Sequence, residues 1–215
     1  AELVDARSLI KTNGEFGNAQ VNFEVTNGLL KDYFKTKQAN VFLLPGFISS
    51  TVKGDLSTLG RGGSDYTASI LAGALEADML EIWTDVNGIM TADPRKVEQA
   101  YTVPAVSYKE AMELSHFGAK VIYPPTILPV FKQGIPIRIL NTFDPSAEGT
   151  LISGSDHSEM PIKGISSIEK IALLSVSGGG MVGIPGISSR LFGALSQAGV
   201  NVILITQASS EHSIT

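Results

Sequence analysis

Thr58-Leu-Gly-Arg-Gly-Gly-Ser-Asp65 is a glycine-rich loop that runs straight into a helical pattern, and this junction decides the fold class. From Ser64 to Ala77, Ala68, Leu71, Ala74 and Leu75 recur at helical spacing, and Ser64 is suited to cap the amino end. Gly60, Gly62 and Gly63 let backbone N–H groups approach an anion closely, and the helix amino end adds positive potential at the same place. Arg61 supplies a planar fork for a carboxylate or phosphate, and Asp65 can receive an ammonium group. One loop therefore offers partners for both ends of an amino acid. The same residues also suit an ordinary loop before a capped helix, because the loop carries no P-loop lysine and matches no P-loop pattern.

Around this junction, up to about Ile152, short apolar runs alternate with longer helical periods, the signature of an α/β sheet with crossover helices. The strand candidates are Val41 to Leu44, Leu80 to Trp83, Ile137 to Leu140 and Thr150 to Ile152, with a further strand-like start at Glu2 to Ala6. Ser107-Tyr-Lys-Glu110 is a capping box that opens a helix through about His116. Residues 153–162 are polar and rich in turn formers, so a linker is expected between a first domain at 1–152 and a second at 163–215. The second reads as a βαβ start: a strand at Ile171 to Ser177, an amphipathic helix at Ile187 to Ala198 and an apolar strand at Val200 to Thr206. Ser213-Ile-Thr215 reads as a strand cut short, and with an opening residue other than Met the chain is expected to be a piece of a longer protein.

Composition narrows the function classes. Of 215 residues, 43% are hydrophobic and 17% charged, enough apolar surface for a buried core and against disorder. A net charge of −5 without a basic stripe argues against a nucleic-acid partner. With no cysteine, disulfides, thiolate metal sites and cysteine nucleophiles are excluded together, which suits a cytoplasmic protein. His116, His157 and His212 lack metal-ligand spacing and read as surface or helix-end residues. No apolar run approaches the roughly 20 residues of a membrane helix, and Ala1 to Ile10 lacks the pattern of a signal peptide.

A second constellation is Trp83-Thr-Asp-Val-Asn-Gly-Ile-Met-Thr-Ala-Asp-Pro-Arg95, at the carboxyl end of an apolar strand, where open α/β sheets bind ligands. Thr84 and Asp85 suit ribose or a base edge and Arg95 a phosphate; equally, Asn87-Gly88 suits a tight hairpin in a plain polar turn. Phe117-Gly-Ala-Lys120 places a lysine near a helix end, where a solvated side chain is the ordinary outcome. Gly178-Gly-Gly-Met-Val-Gly183 satisfies the spacing of a dinucleotide-binding loop. Against that stand Ile184-Pro-Gly186 before the helix and the absence of an acidic residue at Thr206-Gln207-Ala208.

Three long motifs, Gly60-Arg-Gly-Gly-Ser-Asp-Tyr-Thr-Ala68, the segment from Glu81 to Val97, and Ala111-Met-Glu-Leu-Ser-His-Phe-Gly-Ala-Lys-Val-Ile-Tyr-Pro-Pro-Thr126, closely resemble the aspartokinase family. The likeness continues through Pro136-Ile-Arg-Ile-Leu-Asn-Thr142 and Gly149-Thr-Leu151. Met181 to Phe192 and Asn201 to Glu211 look like the first ACT unit of that family, especially the threonine-sensitive kind often fused to homoserine dehydrogenase.

The resemblance implies the carboxyl-terminal, nucleotide-binding half of a three-layer amino acid kinase fold, followed by a partial ACT domain of ferredoxin-like βαβ type. It implies ATP with Mg²⁺, phosphorylation of the aspartate side chain, and NADP only if a dehydrogenase is fused. Arg61, Ser64 and Asp65 match aspartate-binding positions, and Thr84, Asp85, Met90, Arg95 and Lys120 match ATP-site positions. Met90 stands where the family usually has Tyr. Gly183, Ser188, Asn201 and Gln207 match positions that bind a threonine or lysine effector, with ACT units pairing into a homo-oligomer. The family's first Gly-rich strand with its lysine has no match in these residues. Rival readings are a kinase for glutamate, N-acetylglutamate or carbamate, a pure amino-acid-binding regulatory module, and a nicotinamide-dependent oxidoreductase.

Overall fold

The computed structural model describes residues 1–16, 19–116, 121–155, 160, 162–207 and 213–215. Two compact units divide between Ser167 and Ile168. Residues 163–167 thus pack with the first unit.

The first unit opens with β1 (Glu2–Leu3), α1 (Ala6–Leu9), β2 (Lys11–Thr12) and α2 (Phe23–Lys35). The Asn22 side chain caps α2 by accepting from Val25 N at 3.2 Å. β3 (Phe42–Leu43) pairs parallel to β1, while β4 (Ile48–Thr51) lies between β2 and β5 (Leu56–Thr58). A larger sheet has the order β6 (Leu80–Thr84), β8 (Ile137–Asn141), β9 (Thr150–Ser153) and β7 (Ala105–Ser107). β6 and β8 are parallel and β8 and β9 antiparallel. The carboxyl ends of β6 and β8 therefore share an edge with the amino end of β9.

Each strand of this sheet alternates: Leu80, Ile82, Ile137, Ile139, Ile152 and Val106 are buried on one face, against helices. α3 (Gly63–Leu75) is the helix expected from the apolar spacing, and it serves two cores. Ile70 and Ala74 face the cluster of Val4, Leu9, Ile10 and Leu30, whereas Ala72 faces the larger sheet. Small residues make this double contact possible. At Gly73 a Cβ would stand 2.6 Å from the carbonyl oxygen of Pro129 in α5 (Leu128–Phe131), a distance no side chain tolerates.

The capping box forms as expected: Ser107 N donates to Glu110 Oε2 at 2.7 Å and Glu110 N to Ser107 Oγ at 3.2 Å, opening α4 (Tyr108–His116). The cap of α3 differs from expectation. It falls at Gly62, with φ of 67° and no side-chain bond, two residues before Ser64. The physical reason is crowding: a Cβ at Gly62 would lie 2.6 Å from Tyr123 Cβ, so glycine alone fits the turn.

The second unit contains β10 (Val176–Ser177), antiparallel to β11 (Ser213–Ile214), and α6 (Ile187–Gln197), which matches the expected helix. Among the described residues, the paired part of the expected Ile171–Ser177 strand is its end, Val176–Ser177. Among the described residues, the apolar run from Val200 to Thr206 forms no strand; Val200 N donates to Leu195 O at 2.9 Å, Thr206 and Thr215 exchange two hydrogen bonds, and Gln207 just beyond the run bridges to Ile214. Hydrophobicity without a neighbouring strand leaves backbone groups to water, and Val202, Ile203, Leu204 and Ile205 stay exposed.

Candidate active site

The glycine loop sits on a hydrogen-bonded base. Gly63 N donates to Gly60 O at 3.1 Å, and both Gly60 and Gly62 have positive φ. Pro45-Gly46-Phe47 packs beneath it: the Phe47 amide donates to Thr67 Oγ1 at 3.1 Å and Gly63 O at 3.3 Å, and its carbonyl accepts from Leu59 N at 2.9 Å. Phe47 itself adopts φ of 74°, a strained conformation for a non-glycine residue, maintained by those three bonds. Sequence reasoning missed this turn, although Pro45-Gly46 is turn punctuation of the ordinary kind.

Arg61 is exposed and makes no ion pair among the described residues. Its guanidinium is available to an anion. Asp65 is half-buried, and desolvation raises its carboxyl above the ordinary value, with a hydrogen bond from Ser64 acting in the opposite direction. A carboxylate that is poorly hydrated and lacks a cation gains from an arriving ammonium group. Ser64 is exposed beside it, on the first turn of α3, whose cap leaves the leading amides without a side-chain acceptor.

The second segment folds over the carboxyl ends of β6 and β8. The Thr84 hydroxyl donates to Asp85 Oδ1 at 3.1 Å, and its carbonyl accepts from Thr142 N at 2.8 Å. Asn141 Nδ2 donates to Asn87 Oδ1 at 2.5 Å. Asn87-Gly88 is not a hairpin. Ile89 to Thr91 instead run antiparallel to Tyr101 to Val103, with Met90 opposite Thr102. Buried Thr150 anchors this fold-back by accepting from Ile89 N at 2.9 Å and donating to Val103 O at 2.7 Å. Gly88 permits it, since a Cβ there would stand 2.4 Å from Thr150 Oγ1.

Met90 is half-buried, its sulfur 3.5 Å from the Thr102 hydroxyl. Arg95 turns back onto Asp93, with Nε to Oδ1 at 3.0 Å and Nη2 to Oδ2 at 2.8 Å. These bonds hold Asp93 at a pKa of about 2. Reaching a phosphate requires the exposed Arg95 side chain to leave that carboxylate. Lys120 and its neighbours from Phe117 lie outside the described residues. The structure does tie their motif to the glycine loop, through Gly62 against Tyr123, and to α3, through Ser69 Oγ donating to Thr126 O.

In the second unit, Gly183 to Ser188 on one side and Gln207 and Ile214 on the other line a cavity of about 300 Å³. Asn201 is exposed and outside that lining. A 3₁₀ turn at Gly179–Met181 and the stretch through Gly186 intervene before α6, whereas a dinucleotide-binding loop opens directly into its helix. That geometry does not make a dinucleotide site.

The pattern of the amino acid kinase family matches residues 1–141. The chain belongs to the amino acid kinase family. An ACT domain pattern matches residues 174–215 of this amino acid kinase. A bifunctional aspartokinase/homoserine dehydrogenase of Haemophilus influenzae is 47% identical over 214 residues, 99% of this chain and 26% of that protein. The chain thus spans about a quarter of that relative's length. Among solved structures, Escherichia coli aspartokinase III in complex with aspartate and ADP superposes with a TM-score of 0.80 at 34% identity, over 99% of this chain and 47% of that one. The same enzyme with lysine and aspartate gives 0.76 at 34% identity, over 99% and 48%. Among the described residues, no helix is long and apolar enough to cross a membrane.

Proposed function

We propose that this protein is an ATP-dependent aspartate kinase of the cytoplasm, regulated by an amino acid through its ACT region. The observation that carries the reading is the arrangement of Arg61 on the glycine loop, without an ion pair among the described residues, and the half-buried Asp65 carboxylate on the first turn of α3 that follows it. That pair is complementary to the α-carboxylate and α-ammonium of an amino acid. Support comes from the likeness to a structure holding aspartate and ADP.

In the reaction, a side-chain carboxylate oxygen of aspartate attacks the γ-phosphorus of ATP, and the bond from that phosphorus to the β–γ bridging oxygen breaks. An acyl phosphate and ADP result. Such transfer needs two anions held in line and their charge offset, which suits Arg, Lys and backbone donors. Thr84, Asp85, Met90 and Arg95 hold the nucleotide in this reading, with Lys120 joining them. Mg²⁺ enters with the phosphates and needs few protein oxygens. The cavity at Gly183 to Ser188 and Gln207 takes threonine or lysine, in a homo-oligomer. Likeness to the Haemophilus protein favours a fused homoserine dehydrogenase, with NADP as a cofactor only if that domain is present.

Hydroxylamine trapping of acyl phosphate by the full-length protein tests the activity. Aspartate-dependent hydroxamate is expected. Turnover with glutamate, N-acetylglutamate or carbamate in place of aspartate overturns the substrate assignment.

A further inference from the structure

Residues 162–167 of the first unit touch two separate elements of it. Lys163, with a side chain only 6% exposed, donates from Nζ to Glu110 Oε2 at 2.8 Å. The same oxygen accepts from the backbone N–H of Ser107 at 2.7 Å and from its hydroxyl at 2.8 Å. Two residues beyond Lys163, the Ile165 amide donates to the carbonyl of Thr91 at 2.8 Å. Gly164 lies so close that a Cβ would stand 3.3 Å from Thr91 O and 3.4 Å from Met90 O. Lys96, just past Arg95, donates to Ser167 Oγ at 3.1 Å. The 162–167 stretch is therefore a strap, fastened to the cap of α4 at one end and to the 84–95 segment at the other.

Lysine is among the residues least often buried, and a buried ion pair is weak evidence for stability, because desolvation offsets much of the attraction. What such a pair defines well is geometry. A cavity of about 560 Å³ flanks the strap, lined by Lys109, Glu113, Leu114 and Ile162 together with the pair itself. Beside that cavity, the ion pair, the Ile165 bond and the Lys96–Ser167 bond help to fix the register of the strap. Desolvation raises the Glu110 carboxyl, but the bonds from Lys163 and Ser107 outweigh it and leave the group below its ordinary value, so it is charged at neutral pH.

We propose that Lys163 is a positioning residue for nucleotide binding: its ion pair with Glu110 presses Gly164 and Ile165 against Met90 and Thr91 and so sets the shape of the 84–95 segment. The inference rests on the reading of that segment as the nucleotide site. It assigns Lys163 no contact with substrate.

The test uses the full-length protein and four variants. Lys163→Met keeps the stem and removes the charge; Lys163→Arg restores it. Glu110→Gln removes the charge but keeps an acceptor for Ser107. Gly164→Ala wedges the strap from Thr91 without touching the ion pair. The dissociation constant for ADP is measured by calorimetry, KM for ATP and for aspartate separately by turnover, and the melting temperature alongside. Lys163→Met, Glu110→Gln and Gly164→Ala are expected to raise the ADP dissociation constant and KM for ATP about tenfold, with KM for aspartate changed less than about twofold and Lys163→Arg recovering most of the loss. Unchanged ADP affinity in folded variants overturns the proposal. So does a parallel rise of both KM values with a lowered melting temperature, which assigns the strap to general stability. If Lys163→Met does not fold, Gly164→Ala and Glu110→Gln decide alone. If the unmodified protein uses aspartate and ATP but these variants behave like it, only the strap fails; if it binds no ADP, the nucleotide reading fails and the strap with it.

Discussion

Thr150 is the side chain on which the fold-back of the 84–95 segment depends, and two substitutions separate its two contributions. Its hydroxyl accepts from Ile89 N at 2.9 Å and donates to Val103 O at 2.7 Å. Thr150 is 0% exposed, and Ile89 and Val103 are each 1% exposed, so water cannot replace either bond. Thr150→Val keeps the shape and deletes the hydroxyl, stranding a buried donor and a buried acceptor. Each costs about 1 to 3 kcal/mol, for a total of roughly 2 to 5 kcal/mol after partial relaxation. Thr150→Ser keeps both bonds and deletes one buried methyl group, a loss of about 1 kcal/mol. Urea unfolding of the two variants, read as the shift in midpoint at constant slope, measures the difference. KM for ATP is expected to rise in the valine variant and to stay near the original in the serine variant. The reasoning is refuted if the valine protein is as stable as the serine protein, because packing would then outweigh the hydrogen bonds at this site.

In the full-length protein, Arg61→Ala should weaken aspartate use by about 2 to 5 kcal/mol in kcat/KM with little effect on ATP binding, as expected for a lost charge-assisted contact. Unchanged aspartate kinetics return Arg61 to the role of a solvated loop residue. Gln207→Ala should reduce threonine or lysine binding in calorimetry, because Gln207 closes the cavity opposite Gly183 to Ser188; an intact affinity removes this cavity from the regulatory account. Asp93 should titrate at about 2 by carboxyl-carbon NMR, against an ordinary 3.8, and Arg95→Ala should return it toward that value. Since the folded value is the lower one, the Arg95 contact favours the folded state above pH 3.8, and this contribution disappears as pH falls through about 2. An Asp93 that titrates near 3.8 with Arg95 present shows that the two side chains do not stay paired in solution.

Much of the site was legible because local chemistry wrote it. The capping box of α4 is decided by four consecutive residues, Ser107 to Glu110, and it forms. The helix after the glycine loop follows from the spacing of its apolar residues. Where reading failed, the missing information was non-local. Ser64 had the chemistry of a cap, but Tyr123 crowds Gly62 and moves the helix start. Asn87-Gly88 had the chemistry of a hairpin, but Thr150, far along the chain, provides a better partner for Ile89.

By itself, then, the sequence determined which segments carry the anion loop, the strand-end segment and the α3 and α4 helices, because capping, glycine freedom and apolar period act over a few residues. Only the tertiary structure decided the strain at Phe47, the burial of Lys163 against Glu110 and the exposure of Val202 to Ile205 in the Val200 to Thr206 run. Each depends on what lies across from a residue in space. A strand needs a neighbour, a buried lysine needs a carboxylate, and a positive φ outside glycine needs bonds to hold it; spacing along the chain specifies none of these.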